Sequence, residues 1–109
     1  MNIERIAIDL RDGVYQDNPH QAAHDVSMLA GDFYFLCAKL EAILQKKPST
    51  WNTLRPNYKS DTACEKAWEK TPEGLEEMSL KLMIKSATTM MSALRSIIRV
   101  HETQAKNQF

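Results

Sequence analysis

Turn-forming residues are scarce in this chain. Its 109 residues include only three glycines and four prolines. That excludes a fold of many short strands joined by tight turns and favours long helices. No run approaches the roughly 18 apolar residues that a membrane span needs. The opening MNIERIAIDLRD carries acids and no long apolar core, so it does not read as a signal peptide. Two cysteines, Cys37 and Cys64, stand without metal-ligand spacing and read as reduced thiols of a cytoplasmic protein. A net charge of zero at first argues against a polyanionic partner.

The charge is unevenly placed, however. Residues 1–77 hold nine Lys/Arg and thirteen Asp/Glu, whereas residues 78–109 hold five Lys/Arg and one acid, Glu102. The balances, −4 and +4, cancel only in the sum, so local patches matter more than the whole-chain charge.

Periodicity predicts an all-α domain spanning 1–109. It is built on two long antiparallel helices, about 19–47 and 72–106, with short helices at 3–12 and 61–70. Ile3, Ile6, Ala7 and Leu10 share a face, and Gly13 ends the first helix. Asp17-Asn18-Pro19 pairs a capping side chain with a proline in the first turn. Ala22, Val26, Leu29, Phe33, Leu36, Leu40 and Ile43 then step by 4 and 3. This heptad-like seam belongs to a helix about 40 Å long, with Gly31 a weak point in it.

Residues 48–60, PSTWNTLRPNYKS, carry two prolines and read as a loop. Ser60-Asp61 and Thr71-Pro72-Glu73 are two further helix starts. The last helix shows two apolar stripes. Leu75, Met78, Leu82, Ala93, Ile97 and Val100 form one; Leu80, Met83, Ala87, Met91, Leu94 and Ile98 form the other. One stripe suffices to dock on the second helix, so two predict self-association.

The polar side of that helix points to a ligand. Lys81, Lys85, Thr88, Ser92, Arg95 and Arg99 step by 4, 3, 4, 3 and 4 with no carboxylate among them. Surface helices usually mix signs. A stripe of cations and hydroxyls suits a phosphate backbone. The plainer account, that cations gather at a helix C-terminus, covers only the last turn and leaves Lys81 and Lys85 unexplained. The 48–60 segment has the same character. Lys46, Lys47, Arg55 and Lys59 surround Trp51 and Tyr58 without an acid. Cations that follow a backbone while rings stack on bases are the chemistry of single-strand binding. The competing reading is an aromatic lid packed on the core. No zinc-finger spacing, basic zipper or helix-turn-helix is recognisable, so base-pair readout is not expected.

Two constellations carry less. His20 and His24, one turn apart beside Asp17 and Asp25, supply too few ligands for a metal and read as surface histidines. Glu73, Glu76 and Glu77 resemble the Mg²⁺-holding clusters of all-α nucleotide pyrophosphohydrolases, but a second acidic pair would have to come from Asp25 and Asp32. Acids at a helix start are the plainer explanation. Met78, Met83, Met90 and Met91 read as core or oligomer interface, and Trp68 as mostly buried. No catalytic residue, metal or cofactor is therefore expected, and the chain reads as a non-enzyme.

Residues 60–109, SDTACEKAWEKTPEGLEEMSLKLMIKSATTMMSALRSIIRVHETQAKNQF, resemble the small recombination mediators of tailed phages, the UvsY family. A Ser/Asp-led polar segment precedes a long helix, and Ser92, Ala93, Leu94, Arg95 and Ser96 stand where the family has a late small-residue and basic signature. The opening MNIERIAIDLRDGVYQD has a similar short-helix-then-Asp character. The resemblance implies an all-helical homo-oligomer that binds single-stranded DNA and helps load a RecA-type recombinase onto strands coated by single-strand binding protein. Its place would be the cytoplasm of a bacterial host. It implies Lys81, Lys85, Arg95 and Arg99 only as members of a basic surface and says nothing of Trp51 or Tyr58. The alternative from another class is a small helical module that docks on a protein, such as a phage-encoded inhibitor of a host system.

Overall fold

The computed structural model describes residues 1–107. It is all-α, with no strand among the described residues. Four α-helices follow in order: α1 (Ile3–Arg11), α2 (Pro19–Leu54), α3 (Asp61–Glu69) and α4 (Pro72–Asn107), with a 3₁₀ turn at Arg55–Asn57 before α3. No helix among the described residues is long and apolar enough to cross a membrane.

The helix starts follow local chemistry. The Asn18 side chain accepts the Gln21 N–H, and Pro19 begins α2. The Ser60 hydroxyl accepts the Ala63 N–H at the start of α3. Thr71 caps α4 by accepting the Gly74 N–H, while its hydroxyl donates to the Trp68 carbonyl. Gly13 ends α1 with φ +71°, a left-handed conformation that glycine adopts without strain.

The 48–60 segment is not the loop that its two prolines predict. Helix α2 continues through Pro48 to Leu54. Proline inside a helix removes one backbone hydrogen bond and favours a break. Here tertiary contacts compensate. The Trp51 indole N–H donates to Glu65, and the Cys64 thiol approaches the Trp51 carbonyl, so the last turns of α2 are held by α3.

The contacts divide the chain into two compact units. The described residues of the first are 1–34 and 84–107; the second is residues 35–83. In each, a part of α2 meets a part of α4. In the first unit His101, late in α4, bonds the Gln16 carbonyl just before α2. In the second, Lys47, late in α2, meets Glu77, early in α4.

The core of the first unit joins Ile6, Tyr15, Ala22 and Leu29 to Ala87, Met90, Met91 and Leu94. In the second unit Leu36, Cys64, Trp68 and Leu80 are buried. Gly74 lies so close beneath α3 that a Cβ there would fall 1.9 Å from the Trp68 carbonyl oxygen. The two apolar stripes of α4 are covered to different extents, and in the less covered one Ala93 and Ile97 are half-buried. Leu80, Ala87, Met91 and Leu94 are buried, whereas Leu75, Met78, Leu82 and Val100 remain exposed.

Candidate nucleic-acid interface

Among the described residues each unit contains one buried carboxylate, and both are held by the chain itself. In the first unit Asp25 is 0% exposed. The Arg5 guanidinium donates two hydrogen bonds to it, at 2.9 and 3.2 Å; the Tyr15 hydroxyl donates one at 2.5 Å and the Gln21 amide one at 3.2 Å. Burial alone would raise the Asp25 carboxyl. The bonds from Arg5, Tyr15 and Gln21 outweigh it and hold the carboxyl below its ordinary value. Burial, and then the bond to Asp25, pushes the Tyr15 phenol up.

In the second unit Glu77 accepts the Trp68 indole N–H at 3.2 Å and the Lys47 ammonium at 3.4 Å, with Lys81 at 3.7 Å. Lys47 also donates to Glu65 at 2.9 Å and lies 5.3 Å from the Trp68 ring centroid. Burial raises the Glu77 carboxyl, but these donors and cations bring it below its ordinary value. The Lys47 ammonium is raised in turn, its carboxylate partners overcoming burial.

These contacts bear on the acidic constellation. Asp25 is engaged by three donors and Asp32 accepts the Asn2 backbone N–H, while Glu77 is closed off by Trp68 and Lys47. Asp25 and Asp32 fall in the first unit, Glu73, Glu76 and Glu77 in the second. No group of three metal-ligating side chains is assembled among the described residues.

The 48–60 residues fare unevenly as a ligand site. Lys47 is engaged by Glu65 and Glu77, Trp51 is half-buried against Glu65, and Arg55 pairs with Asp61 at 2.6 Å while donating to the Tyr58 carbonyl. Lys46, Tyr58 and Lys59 are exposed. Half of the expected set, Lys47, Trp51 and Arg55, is thus occupied by carboxylates of α3 and α4 that the segment itself does not contain.

The α4 stripe remains open. Lys81, in the second unit, is exposed but pairs with Glu77. Lys85, Thr88, Ser92, Arg95 and Arg99, in the first unit, are all exposed. Among the described residues, Lys85, Arg95 and Arg99 make no ion pair. They span about 21 Å of helix at 1.5 Å per residue. The orientation is set by the neighbouring side of α4, about 110° round the helix, where Ala87, Met91 and Leu94 are buried. The hydroxyls contribute less than the pattern predicts. Thr88 donates back to the Ile84 carbonyl, so its proton already has an acceptor within the helix. What the face offers is mainly positive charge.

One exposed aromatic pair is not predicted by the sequence pattern. Tyr34 is 72% and Phe35 54% exposed, although they adjoin the core seam at Phe33 and Leu36. Their positions, one residue away from the seam on either side, are the signal that could have found them. Comparison of the chain with protein-family models, curated proteins and solved structures finds no match in any of the three.

Proposed function

We propose that this protein binds single-stranded DNA through the exposed cations of α4 and acts, as a homo-oligomer, as a recombination mediator of phage type that helps load a RecA-type recombinase in a bacterial cytoplasm. The observation that carries the reading is the row Lys85, Arg95 and Arg99: exposed, of one sign, and without an ion-pair partner among the described residues. Left unpaired, such charges repel one another; a phosphate backbone relieves that repulsion and releases its own counterions. The resemblance of residues 60–109 to the UvsY family supplies the recombinase part of the proposal. Binding and presentation of a strand require no bond making, so the protein is proposed as a non-enzyme without metal or cofactor. Repetition of a weak site around an oligomer would add avidity.

The test is fluorescence anisotropy of a labelled oligo-dT strand across a salt series. Arg95→Ala/Arg99→Ala is expected to weaken binding and to flatten the salt dependence of log K by about 1.4, roughly 0.7 for each phosphate that is no longer neutralised. Lys66→Ala, an exposed cation of α3, is the control and should change neither. Equal binding and equal slope in the double variant would remove α4 from the site.

A second reading rests on a specific observation. Leu75, Met78 and Leu82 step along the second-unit part of α4 and are 56, 47 and 61% exposed. An apolar row of this kind suits docking on a protein. A protein that is monomeric in light scattering and indifferent to oligo-dT would favour that reading.

A further inference from the structure

The second unit carries another outward row, on α2. Phe35, Lys39, Ala42 and Lys46 step by 4, 3 and 4, and all four are exposed. The buried Leu36 and the half-buried Leu40 and Ile43, about 100° round the helix from this row, face inward. Phe35 is held ready in the open. The Lys39 ammonium lies 4.8 Å from its ring centroid, which leaves the rest of the ring to solvent. Neither Lys39 nor Lys46 has an ion pair among the described residues. Asp32, three residues before Phe35 on the same side of α2, is half-buried and accepts the Asn2 N–H, and Glu41 projects about 120° round the helix from Phe35 and accepts the Gln45 amide.

We propose that Phe35 is a stacking site for an unpaired base and that Lys39 and Lys46 hold the adjoining phosphates, the ligand being single-stranded nucleic acid. The inference rests on the single-strand reading above and assigns it a second contact surface, in place of the Trp51 ring that Glu65 engages. An aromatic ring beside cations supplies what the α4 row lacks: the row contributes charge alone, whereas stacking separates unpaired from paired strands because only an unpaired base offers its face. Charge decides against a second copy of the chain as the occupant. A two-fold contact sets a face against itself, which would bring Lys39 and Lys46 toward the same lysines, while Asp32, the carboxylate that continues the row, is half-buried and already accepts the Asn2 N–H.

The experiment combines oligo-dT anisotropy with photocrosslinking of a 5-iodouracil-substituted strand, the crosslinked peptide being located by mass spectrometry. Phe35→Leu is expected to raise Kd about tenfold and Phe35→Trp to restore it, with the crosslink on the peptide containing Phe35. Lys39→Gln should weaken binding and flatten its salt dependence. Phe35 is exposed, and thermal melts followed by circular dichroism check that each variant is folded. If Phe35→Leu binds like the wild type while Arg95→Ala/Arg99→Ala does not, this site is overturned and the α4 reading stands. If the wild type fails to bind at low salt, both are overturned. Should Phe35→Leu instead reduce the particle mass in light scattering, with crosslinks elsewhere, the face is a contact between copies and the proposal is wrong.

Discussion

The two units solve one problem in two ways. Each buries a carboxylate, gives it an aromatic N–H or O–H donor, and completes it with a cation: Tyr15 and Arg5 for Asp25, Trp68 and Lys47 for Glu77. The first unit assembles its network from α1, the turn after it and α2. The second shares its lysine between two carboxylates, Glu65 and Glu77. The difference shows in which charges are left over. In the second unit Lys47, Arg55 and Lys81 are paired, and Lys39 and Lys46 are left on the outer row of α2. In the first, the buried network uses Arg5, and the cations of α4 stay outside it. A buried carboxylate in a small helical protein thus need not mark catalysis. Here its depressed protonation follows from satisfied hydrogen bonds, and the unpaired charges on the surface are the better guide to a ligand.

The comparison is sharpest where each network depends on its carboxylate. Asp25→Ala is expected to cost about 3 kcal/mol, because Tyr15 loses its acceptor inside the core and Arg5 loses its bidentate partner. Glu77→Ala should cost less, about 2 kcal/mol, since Lys47 keeps Glu65. Chemical denaturation measures both, and the reverse order would break the parallel. The same carboxylates set the acid response. Both sit below their ordinary values when folded. Their contribution is therefore complete above the unfolded carboxylate range, near pH ~4, and is lost as pH falls through the folded values. A stability profile from pH 7 to 3 should fall, and fall less in Asp25→Ala.

Two glycines give smaller effects of opposite sign. Gly74→Ala, with its Cβ against the Trp68 carbonyl, should destabilise by on the order of 1–2 kcal/mol. Gly31, in α2 of the first unit, has open space where a Cβ would lie. Gly31→Ala should raise stability by up to about 1 kcal/mol, read as a higher melting temperature. A loss there would mean that the position serves something other than this chain's own packing.

The helix starts were legible because their chemistry is local: Asn18 before Pro19, Ser60 before Asp61, and Thr71 before Pro72 each act within a few residues. The seam of Ala22, Leu29 and Leu36 was legible from its period, and so was the burial of Trp68. The passage of α2 through Pro48 was not, because Glu65 and Cys64 hold Trp51 from another helix. Glu65 and Glu77 likewise occupy Lys47, and Asp61 occupies Arg55, which reduces the 48–60 segment as a site. Asp25 and Glu77 were partly legible. Asp25 falls between Ala22 and Leu29 at steps of 3 and 4, and Glu77 precedes Leu80, Ile84 and Ala87 at steps of 3, 4 and 3. An acid in register with an apolar stripe signals a buried network, but its donors, Tyr15 and Trp68, can be named only from the fold.

The central claim is that unpaired cations on the surface hold a single strand, and wild-type binding of oligo-dT at two salt concentrations tests it most directly. The account predicts binding at low salt that weakens steeply as salt rises, with a slope of log K on log salt of about −2 for the three cations of α4. Absence of binding at low salt, or an affinity that salt leaves unchanged, would contradict it.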